Sequence, residues 1–468
     1  MTTVAELRDC PGARRSVGRT CATLLVLALT AAAVARAQGI QVPDDVKENV
    51  WNRVNNGWST GIVIAVLDST GARYFSYGRT AADGQSVNER TVFEIGSITK
   101  IFTALSLADM AIRGEVGLDD PVQRYLPADS VHVPSKDGKE ITLRLLSAQR
   151  SGLPRMPDNF APADPNNPYA DYGASRMYAF LNRDTLTRDP GASYEYSNLG
   201  VGLLGFALAR HNGSSYEDMV LQRVIGPLRM RDTRITLTPD LRARLAKGHA
   251  GGREVANWDL DALAGAGAIR STAQDMAKLV AAAAGLVHTP LDSAFRLTEA
   301  IEFDAGPGMR IGLGWHVIGP DSSEVIWHNG GTGGYHTFIG FDPLRKIGVV
   351  VLSNDASSID DIGFHLLKPD VPLLKVRVAI AMPAESLQAY VGTYQLAPTF
   401  AIAIRRDSTG LVAQATGQGA FPLFASARDE FFFRVVDAQI SFTRDSTGKV
   451  TSLILHQGGR DLPAPRAP

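Results

Sequence analysis

The stretch Ser97-Ile98-Thr99-Lys100, followed by Ile101-Phe102-Thr103-Ala104-Leu105-Ser106-Leu107-Ala108-Asp109-Met110, decides how this chain is read. The apolar run predicts a buried helix. A serine and a lysine three apart at its start share one face, with about 5–6 Å between Cβ atoms. A lysine removed from water there loses its proton more readily and can activate the hydroxyl beside it. The helix N-terminus also favours negative charge developing at the serine. The spacing alone is weak, because Ser446-Thr447-Gly448-Lys449 repeats it in a turn with no helix behind it.

The whole chain bounds the reading. It has 468 residues, a net charge of −1, and 45% hydrophobic and 20% charged residues, which is globular and long enough for one large domain plus a smaller one. Neutral balance without like-charge blocks argues against nucleic acid or an acidic membrane surface as partner. Arg14, Arg15 and Arg19, the apolar run from Cys21 to Ala35 and the Ala35-Arg36-Ala37 pattern predict a signal peptide over 1–37, cleaved after Ala37. The apolar stretch is short of the ~20 residues a spanning helix needs, so no membrane span is expected after cleavage. A periplasmic or secreted address follows. Cys10 and Cys21 are the only cysteines, so the mature chain has no thiolate nucleophile, thiolate metal site or disulfide.

Outward from Ser97, Gly61–Leu67 and Arg73–Tyr77 predict two strands joined by the turn Asp68-Ser69-Thr70-Gly71. A largely helical middle runs to about residue 290, broken by a polar, proline-containing loop from Pro154 to Ala170. Trp315–Gly319, Glu324–Trp327, Thr337–Phe341 and Gly348–Leu352 predict further strands. Strands at both ends with helices between them imply an α+β layout, in which the two sets join into one antiparallel sheet flanked by helices. The proline-containing segment 368–385 is the predicted linker. Short strands with Asp-Ser-Thr-Gly turns at 407–410 and 445–448 predict a small all-β barrel or sandwich over 386–468.

Two further elements fall after Ser97. In Tyr196-Ser197-Asn198, a tyrosine beside the lysine could shuttle a proton as phenolate, and an asparagine amide could hold a substrate. Taken alone, the same triplet reads as a loop aromatic and a helix N-cap. In His328-Asn329-Gly330, followed by Gly331, the glycines let backbone approach a substrate and offer an N–H to an oxyanion. His211-Asn212-Gly213 and His456-Gln457-Gly458 repeat the third pattern, as a helix stop and within the C-terminal β segment. His132, His249 and His365 have no metal-ligand spacing, so neither metal nor cofactor is expected. Trp315 and Trp327 read as core or pocket wall. No G-x-S-x-G elbow is present to support an α/β-hydrolase.

In this order, S-x-x-K, Y-x-N and H-x-G resemble the β-lactamase-related serine hydrolases: class C β-lactamases, low-molecular-weight penicillin-binding proteins, D-peptidases and esterases on the same fold. Gly117–Val122 with Tyr125-Leu126-Pro127, Ile141–Pro154, Ser271–Ala277 and Gly312–Trp315 match as well, so the resemblance covers about residues 45–360 and implies a hydrolase domain over 38–367. The C-terminal portion resembles the lipocalin-like domain appended to some of these hydrolases. The resemblance implies Ser97 as nucleophile, Lys100 and Tyr196 as shared base, and Asn198 as substrate holder. It also implies an oxyanion hole from the N–H groups of Ser97 and Gly331, with Gly330 beside it, and His328 orienting the substrate or its carboxylate. Gln149 stands where histidine is frequent, Arg229 where glycine is usual, and His328 where class C β-lactamases carry lysine. Histidine is a weaker, pH-dependent cation. The expected substrate is therefore a small-molecule ester or D-amino-acid peptide. A class C-type β-lactamase acting on a β-lactam, or a non-catalytic penicillin-binding sensor of the same fold, is the alternative.

Overall fold

The computed structural model describes residues 39–300, 303–408 and 410–467; the expected signal peptide and both cysteines lie outside them. The first helix, α1 (Asp44–Asn55), leads into β1 (Gly61–Asp68) and β2 (Gly71–Gly78). After the helical middle come β3 (Phe303–Gly306), β4 (Met309–Ile311), β5 (His316–Ile318), β6 (Val325–Gly331), β7 (His336–Asp342) and β8 (Ile347–Ser353). They form one antiparallel sheet in the order β2-β1-β8-β7-β6-β5-β4-β3. The join is β1 against β8, with Ile62 opposite Ser353 and Leu67 opposite Gly348, so the first and last strands of the domain are neighbours as expected.

Both faces of this sheet are covered, which explains why β1 and β8 are nearly continuous apolar runs. Strand alternation sorts the side chains. Val63, Ala65, Leu67, Ile339, Val350 and Leu352 join the main core, which includes Ala277 and Val280 of the helix Ala273–Ala283. Phe338 and Trp327 face the opposite way and pack on Phe364 of the helix Asp360–Leu367, with ring centroids 5.0 and 4.8 Å away. In the middle of the core lies α2 (Thr99–Ile112), buried from Thr99 to Met110, as a helix apolar all round must be.

From Lys368 to Pro383 the chain forms neither helix nor strand. It is nevertheless tied on both sides. Trp58 Nε1 donates to Arg377 O at 2.7 Å, and Ile380 N donates to Ala425 O at 2.8 Å. Beyond it, eight antiparallel strands from β9 (Gly392–Ala397) to β16 (Arg460–Pro465) pair in sequence order. Tyr394 bridges Arg466, and Ala467 N donates to Thr393 O at 2.7 Å, so the sheet curls into a nearly closed barrel. The barrel docks through Phe432, stacked on Trp58 at 5.6 Å, and through Arg434, which donates to Gly57 O and Asn56 O. Ser446 and Lys449 lie here in a turn held by Asp445 Oδ1, which accepts the N–H groups of Thr447 and Lys449.

Candidate active site

Ser97 sits in a single 3₁₀ turn, Gly96–Ile98, that leads directly into α2. Among residues 91–100 it alone is not buried. The turn is pressed against the end of β6. Gly96 has φ +51, and a Cβ there would lie 2.8 Å from Gly331 N, so a side chain meets both strain and backbone. The two N–H groups named for the oxyanion hole, those of Ser97 and Gly331, are thereby brought into the same corner of the site.

One helical step later, Lys100 is buried, and its Nζ has three oxygen neighbours: Ser97 Oγ at 2.9 Å, Asn198 Oδ1 at 2.9 Å and Ala266 O at 2.8 Å. Loss of water pushes the amine well below its ordinary 10.5, and the nearby Arg155 charge pushes in the same direction. A neutral amine has two N–H donors and one lone pair. Asn198 Oδ1 and Ala266 O can only accept, so they take the two donors. The lone pair is then left toward the Ser97 hydroxyl.

The second element comes from the start of α3 (Asn198–His211). The helix cap is Ser197, whose Oγ accepts Gly200 N at 2.8 Å and donates to Pro154 O at 2.6 Å, and not the asparagine the isolated triplet suggested. Asn198 is thus free to turn its amide to Lys100. The Tyr196 hydroxyl lies within reach of Ser97, and Lys100 Nζ lies 4.8 Å from the Tyr196 ring centroid. Burial raises the phenol's pKa, which favours the protonated form at rest. Gln149, the departure from histidine, is buried at φ +59. It holds this turn from behind: its Oε1 accepts Ser197 N at 2.7 Å and its carbonyl accepts Glu195 N at 2.8 Å.

The third element is split by strand alternation. Trp327 and Asn329 face away from Ser97, and Asn329 Nδ2 donates to Asp360 Oδ2 at 2.6 Å. His328 and Gly330 face the core. His328 is 1% exposed, its ring centroid 5.0 Å from that of His316 and 6.4 Å from that of Tyr196. Burial drives its pKa well below 6.5. His316, bonded through Nε2 to Tyr194 Oη at 3.0 Å, is pushed down to about 4. Burial thus disfavours the cationic form of His328, the residue expected to orient the substrate or its carboxylate. Its Nδ1–H donates to Asn329 O at 2.6 Å.

Gly330 is buried, whereas Gly331 is exposed. A Cβ at Gly330 would lie 2.0 Å from Ile95 O and 2.6 Å from Thr337 Oγ1, so this glycine seats β6 against the turn that carries Ser97. Gly330→Ala should push the strand away and lower kcat by about 100-fold, since misplacements near 1 Å carry that cost. Steady-state kinetics on a folded variant, checked by its thermal melt, measure this.

The opposite wall comes from the 154–170 loop and was not singled out residue by residue in the sequence. Tyr169 packs on Phe160 at 5.0 Å and on Trp258 at 5.2 Å, and Asn198 Nδ2 reaches Met156 Sδ at 3.8 Å. The buried Glu94–Arg270 pair, 3.2 Å apart, fixes Trp258 by its backbone: Glu94 Oε1 accepts Trp258 N at 3.0 Å and Arg270 donates to Trp258 O at 2.8 Å. Arg155 also stands on this wall, its guanidinium carbon 4.9 Å from the Tyr196 ring centroid.

Comparison with known proteins agrees with this geometry. The family model described as Beta-lactamase matches residues 46–365. The chain belongs to the beta-lactamase family. A second model, a domain of unknown function (DUF3471), matches residues 376–464, the barrel region. The family domain is 30% identical over 351 residues to the D-alanyl-D-alanine-carboxypeptidase/endopeptidase AmpH of Escherichia coli (strain K12), covering 71% of this chain and 89% of that protein. Penicillin-binding protein 4* of Bacillus subtilis is 26% identical over 450 residues, covering 87% of this chain and 94% of its own. The solved beta-lactamase/D-alanine carboxypeptidase from Yersinia pestis, complexed with citrate, superposes with TM-score 0.58 at 26% identity, over 66% of this chain and 91% of that one. This beta-lactamase-family chain is accordingly a serine hydrolase. Among its described residues no helix is long and apolar enough to cross a membrane.

Proposed function

We propose that this hydrolase acts through an acyl-enzyme on Ser97 and cleaves D-amino-acid peptide bonds or small esters. The observation that carries the reading is the three-way environment of Lys100 Nζ, in which a deprotonated amine would turn its lone pair to Ser97 Oγ at 2.9 Å. Ser97 Oγ attacks the substrate carbonyl carbon and its proton passes to Lys100. The carbonyl oxygen, now negative, is received by the N–H groups of Ser97 and Gly331. As the carbon–leaving-group bond breaks, the leaving atom takes a proton from the Tyr196 hydroxyl, which recovers one from Lys100. Water then releases the acyl group by the reverse relay. Asn198 has its Oδ1 on Lys100, and its Nδ2, beside Met156 Sδ and the Tyr169 hydroxyl, is the donor that serves the substrate.

The peptide reading is supported by the carboxypeptidase/endopeptidase named among the relatives, and the ester reading by His328, which stands buried where class C β-lactamases carry lysine. The leader-like residues 14–37 support cleavage after Ala37 and a periplasmic or secreted address, with hydrolase, linker and barrel at 38–367, 368–385 and 386–468. One kinetic panel tests the substrate class: a D-alanyl peptide, p-nitrophenyl esters and nitrocefin. The expected result is turnover of the first two above that of nitrocefin. Slow covalent labelling with no turnover of any would instead favour the penicillin-binding sensor.

A further inference from the structure

His328 is buried beside His316, whereas the wall across from β6 carries an exposed cation. Arg155 follows Ser151-Gly152-Leu153-Pro154 and is fixed by its backbone to the turn that presents Tyr196 and Asn198. Its carbonyl accepts Asn198 N at 3.0 Å and Leu199 N at 3.3 Å, and the preceding Pro154 carbonyl accepts Ser197 Oγ. Its guanidinium lies on the Tyr196 ring at 4.9 Å from the centroid, with Lys100 Nζ 4.8 Å from the same ring.

Arg155 is exposed, and among the described residues its side chain forms no ion pair. Its charge reaches the reacting groups, depressing the pKa of Lys100 and acting downward on the half-buried phenols Tyr169, Tyr194 and Tyr196. Lys100, His316 and His328 are the other basic groups around Ser97, and burial disfavours the charged form of each. A guanidinium stays charged at any working pH and presents a planar fork that matches a carboxylate with two hydrogen bonds. Held by an aromatic face and left unpaired, it is a cation waiting for an anion.

We propose that Arg155 is the specificity-determining cation of this site, and that the preferred substrates carry a carboxylate that pairs with it. This rests on the reading of Ser97 as nucleophile. It places the anionic group on the Tyr196–Asn198–Met156 wall, opposite the β6 strand where the histidine stands.

The test is a matched set of esters: p-nitrophenyl butyrate (neutral), mono-p-nitrophenyl glutarate (carboxylate on the acyl group) and the butyrate ester of 4-hydroxybenzoate (carboxylate on the leaving group), with phenyl butyrate as its neutral partner. The readout is the ratio of kcat/KM for each anionic ester to that of its neutral partner. In Arg155→Ala at least one ratio should fall 10- to 100-fold, the fold-change corresponding to a charge-assisted hydrogen bond of roughly 1.5–3 kcal/mol. The ester whose ratio falls shows on which side of the scissile bond the carboxylate sits. Arg155→Lys should recover part of the ratio, and Arg155→Glu should drive it below that of Arg155→Ala. Added salt should shrink the wild-type preference. Unchanged ratios in Arg155→Ala, or equal loss on anionic and neutral esters, overturn the proposal. Failure of the underlying reading looks different: turnover of the neutral ester would then survive Ser97→Ala.

Discussion

Ser97→Ala should lower kcat/KM by roughly 10⁴–10⁶ on every substrate the protein turns over, and should abolish labelling by a fluorophosphonate probe. The variant removes the oxygen proposed to attack without touching what holds the turn in place. Gly96 still packs on Gly331, the helix α2 still starts at Thr99, and Lys100 keeps Asn198 Oδ1 and Ala266 O as partners. The folded state should therefore survive, and a thermal melt near that of the wild type separates lost chemistry from lost structure. Residual rate above water would come from the oxyanion donors and substrate binding alone. A labelled Ser97→Ala protein would place the nucleophile elsewhere.

The second large effect falls on Lys100. Lys100→Met should lower kcat by roughly 10²–10⁴, the contribution of a positioned general base. Lys100→Arg should be no better, because a guanidinium keeps its proton and cannot accept one from Ser97. The pH dependence carries the sign. The amine works only when neutral, so kcat/KM rises with pH through its pKa and falls as protons return. Burial and the Arg155 charge both push that pKa down, so the rising limb should lie well below the ordinary lysine value of 10.5. A rising limb near 10 in the wild type would mean the resting amine is charged.

What was legible in the sequence follows from where its determinants lie. The Ser97–Lys100 pair could be read because the apolar run behind it defines one helix, and helical spacing sets the face. The sheet could be read because strands such as Ile62–Leu67 and Val349–Leu352 are apolar throughout, although that they pair is a long-range fact. The barrel announced itself by its turns, whereas its near closure depends on Thr393 meeting Ala467 across the whole domain. Residues whose role is set by distant neighbours were out of reach. Ala266 serves Lys100 through a carbonyl that has no signature. Nothing local to the sequence told that alternation in β6 would bury His328 within 5.0 Å of the His316 ring. Two departures from the family pattern did carry information. Gln149 and Arg229 both adopt positive φ, at +59 and +55, where side chains are disfavoured, and Arg229 does so at the position where the resemblance has glycine.

The central claim is that a covalent acyl bond forms at Ser97 Oγ with Lys100 as base. Mass spectrometry tests it most directly: the protein is quenched in acid during turnover of a D-alanyl ester or benzylpenicillin, digested, and mapped. An acyl mass increment is expected on the peptide containing Ser97, absent from Ser97→Ala and accumulating far more slowly in Lys100→Met. An adduct on any other residue, or steady turnover with no adduct and no burst, would contradict it.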